Sequence, residues 1–535
     1  MRNVMISNNI FKRITSNTIL KRICLTPLAI CLTVLPSAAQ TPGGVEAPTV
    51  WTCDTATVNL PSSAGLTYIS VNRVMTNKEQ TVWSLGMGNK TSRIQTTARA
   101  ANLKNSTFMN YAKDSLPEVR LYSYTTALGC GDGSMLHIGS TPDRSLPVSR
   151  MDGGTTEYTI FSRQLTDQER SRVESYFALK YGISLRSSYL NGHGKVIWNA
   201  YRNKTYSHRI AGIIADATSA LYQSRGSSSE GESFITIKSK QALVDGQSLL
   251  WGDNGKRLAI TTSKAYGRWL GRHWLTSITG MDATKVDLMA DSRELKQIQP
   301  LQAGEHYYLA IDPTGTGKFP IRQAQYYKAD AMHGDSIIFS GITLGDHSAF
   351  TLRAAGDMFT TIEVTQPTEQ ANTGSLGVRV TGGEPPYAMM LSRDGATVYN
   401  ITSADMIRTI NDLAEGKYLL STTDHEDNKA ENEFQITTTG ITEIPSSEEP
   451  SSGDNFFARV KVNPIPATDG YVDVQAELSE EAPLSMTLYT SSGAMVSSIT
   501  LAPDTYFTTR IALPAPGVFL LTLKSGNHEK TIKIL

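Results

Sequence analysis

Apolar and β-branched residues in this chain alternate over short runs closed off by glycine, proline, asparagine or aspartate, a period-two pattern that leaves little but β-sheet to fold into. One stretch departs from it. Residues 157–185, EYTIFSRQLTDQERSRVESYFALKYGISL, carry a strand into a capped helix and then into a second strand. Thr166 stands three residues before Glu169, the spacing at which a hydroxyl and a carboxylate satisfy each other's orphan amides, so a helix is expected to start near Asp167. Val173, Tyr176, Phe177 and Tyr181 recur at helical spacing as one apolar face, and Gly182 supplies the left-handed residue that ends a helix. The rest of the chain is organised around this joint.

At 535 residues the chain is too long for one core. Roughly 100 to 200 residues per domain predicts about three to five units. Fifty basic and fifty acidic residues cancel, and no basic cluster after the N-terminus forms a phosphate-tracking stripe, which argues against a nucleic-acid partner. At the N-terminus, Arg2, Lys12, Arg13, Lys21 and Arg22 precede an apolar run over 23–35, followed by Pro36-Ser37-Ala38-Ala39-Gln40. This is signal-peptide grammar, with cleavage expected between Ala39 and Gln40. The run is shorter than the about 20 residues a spanning helix needs, and no later stretch is long and apolar enough, so no transmembrane segment is expected in the mature chain. Of four cysteines, Cys24 and Cys31 leave with the signal peptide. Cys53 and Cys130 remain in an oxidising compartment, where a disulfide between them would contribute roughly 4 kcal/mol. Two buried free thiols are the alternative.

Between residues 45 and 160 the runs LTYISVNRVM (66–75), TVWSLG (81–86), EVRLYSYT (118–125) and MLHIG (135–139) read as the strands of a β-sandwich. Their order, followed by FSRQL (161–165) and SYFALKYGISL (175–185), resembles a family of secreted multidomain Bacteroidota proteins. In that family a strand ending Y-N-R-x-L leads into an "ER" helix and S-Y-x-A-L-K-Y-G-I-T-L after a laminin-G-like (concanavalin-like) unit. Phe177 and Ser184 depart from the motif. The resemblance implies a laminin-G-like jelly roll over 40–185 and transfers no catalytic residues. A second β domain is expected over 186–356, where Arg272-x-Trp274 matches the family's R-x-W and Trp274 is read as a core plug. Residues 357–440, with GGEPPY (382–387) and LAEGKY (413–418), are similar to immunoglobulin-like repeat modules of Bacteroidota surface proteins. Residues 441–456, rich in proline, serine and glutamate, read as a solvated linker.

Residues 457–535 carry VNPIP (462–466), LYTSSGAMV (488–496), LPAPGVFLLTL (513–523) and KTIKIL (530–535). These look like the C-terminal (Por) sorting domain of the type IX secretion system, with Asn463, Pro464, Gly493, Gly517 and Lys530 at the motif positions. VNPIP stands where many members have Y-P-N-P. The resemblance implies a compact β-sandwich that takes folded cargo through the outer membrane and is then removed. The expected fold is therefore mainly β: a multidomain string of β-sandwiches (laminin-G-like jelly roll, second β domain, immunoglobulin-like module and sorting domain) behind a signal peptide over 1–39, with one prominent helix.

Catalytic patterns are scarce. No E-x-D-x-E triplet of the kind that aims two carboxylates at a sugar bond occurs over 40–185; Glu157 is the nearest lone candidate, better read as a solvated strand end or as a partner in the joint. His425-Glu426 and His528-Glu529 lack the second histidine of a zinc helix and read as surface turns. Gly315-Thr316-Gly317-Lys318 is followed by Phe319 where a phosphate loop needs Ser or Thr, so it reads as a loop between strands. Calcium is the one metal left open, at the acidic loops 131–133, 152–154 and 252–255; otherwise no cofactor is expected. Asp54-Thr55-Ala56, Asp114-Ser115-Leu116 and Asp335-Ser336-Ile337 resemble an O-glycosylation triplet of exported Bacteroidota proteins.

These features lead to a secreted or cell-surface protein, reached through periplasm and outer membrane by the type IX machinery, and non-enzymatic. Its expected ligand is a glycan or host glycoprotein, bound in an adhesin- or lectin-like way, with Trp83, Tyr122 and Tyr124 as candidate sugar-stacking rings and core packing as the alternative for each. The alternatives are a secreted hydrolase with an unrecognised carboxylate pair and a purely structural surface protein.

Overall fold

In a computed structural model of the chain, residues 41–52, 57–75, 80–87, 90–96, 106–109, 118–127, 129–139, 154–231, 233–293, 295, 300–367, 373–437, 456–463, 471–490, 495–513, 519–526 and 528–534 are described. The first sandwich has a five-stranded sheet in the order Val50–Thr52, Thr155–Phe161, Leu66–Val74, Glu118–Thr126, Ser106–Met109. Facing it is a four-stranded sheet ordered Thr57–Leu60, Ser134–Ile138, Gln80–Met87, Lys90–Thr96. All neighbours are antiparallel.

The larger sheet is covered on both faces, and strand alternation shows how. Tyr68, Tyr122, Tyr158 and Ile160 point into the sandwich and pack with Trp83 and Leu136. Their neighbours Ile69, Val71, Leu121 and Phe161 point the other way and pack against the helix. A strand buried on both sides has no wet face, so its polar residues Thr67, Ser70 and Asn72 are fully buried along with the apolar ones.

The helix spans Asp167–Tyr181. Glu169 N donates to Thr166 Oγ1 (3.2 Å), and Thr166 N donates to Glu169 Oε2 (2.9 Å), completing the capping box. Arg163 grips the same carboxylate with two bonds of 2.9 and 2.7 Å, and this guanidinium holds the Glu169 carboxyl down at about 2. The helix ends at Gly182, φ 63°, where a Cβ would sit 2.3 Å from the Ser227 carbonyl oxygen. The single apolar face expected from the spacing is an underestimate: every residue from Val173 to Leu179 is buried. The physical reason is a second covering. Phe177, Ala178, Leu179 and Ile183 share one core with Ile69, Val71 and Leu121 of the first sandwich and with Tyr189, Trp198, Ile210, Ile214 and Leu250 beyond the helix.

Beyond the helix, one sheet runs Leu221–Gln223, His208–Asp216, Ser248–Asp253, Trp274–Thr279, Ala349–Ala355, Gly267–Leu270, Ile260–Ser263, with His306–Asp312 also on Ala349–Ala355 and Gln325–Lys328 outside it. The facing sheet is Arg225–Ser227, Ile235–Ser239, Ala283–Asp291, Ser336–Gly345, Ala331–His333. Trp274 fills the space between them, stacked on Phe234 (5.8 Å) and Phe350 (5.6 Å). A third pair of sheets follows: Phe359–Thr365, Gly374–Thr381, Ile407–Leu413 against Ala396–Ser403, Tyr387–Arg393, Gly416–Thr423, Lys429–Ile436.

Arg353 joins the second pair of sheets to the third. Its guanidinium carbon lies 4.0 Å from the Phe359 ring centre, 4.7 Å from Trp269 and 5.9 Å from Tyr326. Burial lowers this group to about 10, so it stays charged at neutral pH with aromatic faces as its main counter-charge.

The last described unit is built on a long bent hairpin, Tyr471–Thr490 with Met495–Ala512, whose register breaks between Glu477 and Leu484. Before the break the first strand pairs with Phe457–Asn463, and after it with Phe519–Ser525, which in turn holds His528–Ile534. The sequence motifs marked only fragments of this hairpin.

Phe177→Ala should remove a side chain shared by the first two sandwiches and cost about 3–5 kcal/mol. In urea, probes of strands Leu66–Val74 and His208–Asp216 should lose protection together at a lower midpoint. A loss confined to one of them would show that the core is not shared.

Candidate functional site

The three rings named for sugar stacking are not presented as a platform. Trp83 is 1% exposed and Tyr122 3%, and both lie in the core of the first sandwich. Tyr124 is half-buried, its ring 5.2 Å from that of Trp83. The correction has a plain cause: each stands on the inward face of its strand, where a large aromatic fills the gap between sheets. Cys130 is also buried there as a free thiol, pushed up by that burial, and Ser63 Oγ accepts from its backbone N–H at 3.3 Å. Its expected partner Cys53 lies outside the described residues, as do Ala39, Gln40, Pro464, Gly493 and Gly517. Asn463 ends strand Phe457–Asn463, and Lys530 is paired in register with Leu523.

Glu157 sits on the helix-facing side of its strand, 5% exposed, in a closed network. Trp51 Nε1 donates to Oε1 at 2.7 Å, the Tyr181 hydroxyl to Oε2 at 2.6 Å and the Tyr176 hydroxyl to Oε1 at 3.3 Å. Lys180 Nζ pairs with Oε2 at 2.7 Å while donating to the Tyr176 oxygen at 3.0 Å. A carboxylate with both oxygens taken up this way ties strand to helix and has little capacity left to protonate a leaving group. Sequence reading left Glu157 as either a solvated strand end or a joint partner, and its burial decides for the joint; Trp51, more than a hundred residues away, had no signal to find it by.

The cluster richest in chemistry lies in the second pair of sheets and was missed. Asp312, fully buried at the end of its strand, organises the 312–319 loop: Thr314 N and Oγ1 donate to Oδ1 at 2.9 and 2.6 Å, and Thr316 Oγ1 and Phe319 N donate to Oδ2 at 2.9 and 3.3 Å. The look-alike phosphate loop is thus a tight turn pinned on one carboxylate, with Gly315 and Gly317 at φ 71° and 69°. A side chain at Gly317 would meet the Tyr206 hydroxyl at 3.1 Å and His273 Nδ1 at 3.4 Å, so the glycine lets the loop close over both. The His273 ring stands edge-on to Phe319 at 5.3 Å. Burial, with Lys256 nearby, lowers His273 to about 4 against a weaker upward pull from Asp312. Burial raises the Tyr206 phenol. At neutral pH the cluster therefore offers a neutral imidazole and a neutral phenol, with Lys256 and Lys318 exposed beside them. The signal that could have found it was the Asp312-to-Phe319 loop itself, read as a brace and not as a failed nucleotide motif.

Other candidates are structural. In the 252–255 loop both Asp253 oxygens are held by Arg209 at 2.6 Å, and Gly255 N donates to Oδ1 at 2.8 Å, so that carboxylate is committed to a buried ion pair, not to calcium. In the 131–133 loop Asp132 Oδ1 accepts from Ser62 N at 3.2 Å; Asp152 and Gly153 lie outside the described residues. Among the described residues no group of three or more His, Cys, Asp or Glu is placed to hold a metal ion. His425 is in an exposed turn. His528 is not: it opens a strand and stacks on Phe456 at 4.2 Å.

Residues 169–348, from inside the helix to the residue before strand Ala349–Ala355, match a family described as Domain of unknown function (DUF8202). That stretch contains Tyr206, His273 and Asp312. No curated protein matches the chain. Among solved structures, a two fibronectin type-III domain segment from chicken tenascin is 14% identical, covering 32% of this chain and 94% of that one, with a TM-score of 0.13. A β-glycosidase from Bacteroides vulgatus is 10% identical over 34% of this chain and 25% of its own, TM-score 0.13. The BSP domain of a biofilm associated protein is 8% identical over 88% and 90%, TM-score 0.12. Scores this low carry no inference about function.

His273 predicts a pH dependence. With its folded value near 4, below the ordinary 6.5, the unfolded chain takes up a proton that the folded chain refuses until about pH 4. Stability should therefore fall as pH drops from about 6.5 to 4, by on the order of 1–3 kcal/mol after solvent screening, and change no further from this group below 4. His273→Gln should flatten that window in urea-midpoint measurements; an unaltered pH profile would remove His273 as its source.

Proposed function

We propose that this chain is a secreted or cell-surface-attached, non-enzymatic protein, exported by the type IX secretion machinery and binding a glycan or host glycoprotein. The observation that carries the export reading is the pairing of signal-peptide grammar at one end with ordered sorting-like motifs at the other, behind the apolar-poor stretch 441–456. The bent-hairpin sandwich supports it, because a domain with its own apolar core can act as a separable tag. The string of antiparallel sandwiches supports display.

For the ligand, the neutral Tyr206 and His273 groups under the 312–319 loop replace the core-packed Trp83 and Tyr122 as the place to look. Uncharged donors and acceptors beside an aromatic edge suit sugar hydroxyls. The hydrolase alternative is weakened at its nearest candidate, since Glu157 is taken up by four side-chain donors.

Deleting 518–535 removes strand Phe519–Ser525, which lies between Tyr471–Thr490 and His528–Ile534, and so opens the last sandwich. The truncated protein should accumulate in the periplasm, as read by surface labelling in the native host. Normal amounts at the surface would sink the export reading.

On a glycan array and a matrix-protein panel the full chain should show saturable binding, weakened about tenfold or more by Tyr206→Phe with His273→Ala. An absence of saturable binding would leave the purely structural reading.

A further inference from the structure

The strand Tyr471–Thr490 carries a buried acid on the wrong side. Val474, Ala476 and Leu478 point into the apolar core of the last sandwich, so Gln475 and Glu477 point outward. An outward residue on a free-standing domain is solvated, yet Glu477 is only 3% exposed. Its Oε1 accepts from Ser188 Oγ, just past the helix joint, and Ser188 Oγ accepts in turn from Ala200 N at 3.0 Å. Two residues earlier on the same face, Gln475 Nε2 donates to Oδ2 of Asp167, the first residue of the helix. The contact is thus made at two points, the helix N-terminus and the corner formed by Ser188 and Ala200.

We infer that the C-terminal sandwich docks on the joint through the outer face of this strand, so that the chain is a closed precursor in which the Ser188 corner is covered and the helix N-terminus is held at Asp167. Burying Glu477 costs desolvation that only a specific partner offsets, which makes a chance graze of two tethered domains a poor account of it. If the sandwich is removed at 441–456, as the proposed function has it, the corner becomes exposed. That consequence rests on the export reading; the docking itself does not.

The test is hydrogen exchange on the purified full-length chain against Glu477→Lys in the same chain. Because Glu477 lies outside the sandwich core, amides of strand Phe519–Ser525 should keep their protection. Amides over 186–200 should exchange about tenfold faster or more in the variant. Unchanged exchange over 186–200 with the C-terminal core intact overturns the docking. If Glu477→Lys loses the core as well, Gln475→Lys, at a partly exposed position, is read against the same two segments and decides by the same criterion. The measurement uses purified protein, so a failure of export in the host leaves it unaffected, and a failure here leaves the export reading standing.

Discussion

The structure turns on one helix that is buried from both sides. A surface helix contributes one stripe to a core; this one contributes Phe177, Ala178 and Leu179 to a core lined on one side by Ile69, Val71 and Leu121 and on the other by Ile210, Ile214 and Leu250. The capping box, the Arg163 clamp on Glu169 and the left-handed Gly182 fix where it starts and stops. The Glu157 network fixes how far it stands from the sheet. The Glu157 carboxylate accepts burial because partners converge on it: Trp51, Tyr176, Lys180 and Tyr181. The first two sandwiches therefore share apolar surface as well as a peptide connection.

The next junction solves the same problem with different chemistry. Arg353 is buried among Phe359, Trp269 and Tyr326, and its carboxylate-free setting avoids the need to desolvate a second ion. Arg379 reinforces it, donating to the carbonyls of Ile321 (3.0 Å) and Ala324 (2.6 Å) across the same seam. Both joints place a long cationic side chain over aromatic faces, Lys180 over Tyr176 and Tyr181 in the first and Arg353 in the second.

Much of the fold was legible because strand period, turn residues and the capping box act locally. The helix limits at Asp167 and Tyr181 and the β character of nearly every apolar run follow from neighbours within a few residues. What was not legible depends on distant partners. Trp51 meeting Glu157, Arg209 holding Asp253 and Glu477 reaching Ser188 leave no periodic trace. The aromatic candidates failed for a related reason: period two says that Trp83 and Tyr122 share a face with their strand neighbours, but not whether that face meets solvent or another sheet. The Tyr206–His273–Asp312 cluster draws on a short 3-10 turn, the residue before a strand and the end of another strand, so only its loop segment 312–319 left a trace in the sequence.

The two-sided burial of the first large sheet bears on how that sheet finds its alignment. In a sheet with one wet face, slipping a strand by a single residue drives polar groups inward and is rejected at once. Strand Leu66–Val74 is buried on both faces as far as Asn72, so a slip there would exchange one dry face for another. The discrimination falls to its few hydroxyls and amides. Thr67 Oγ1 meets Thr125 Oγ1 at 2.9 Å and accepts from Leu165 N at 3.0 Å, and Thr155 Oγ1 donates to Asn72 Oδ1 at 2.8 Å, each across in-register pairs or at a fixed strand end. A shifted strand would strand these groups in a dry interior. They act as indexing pins toward either end of the strand, with the buried Asn72-to-Ser70 bond between them, and a chain that folds with the wrong alignment is penalised at each.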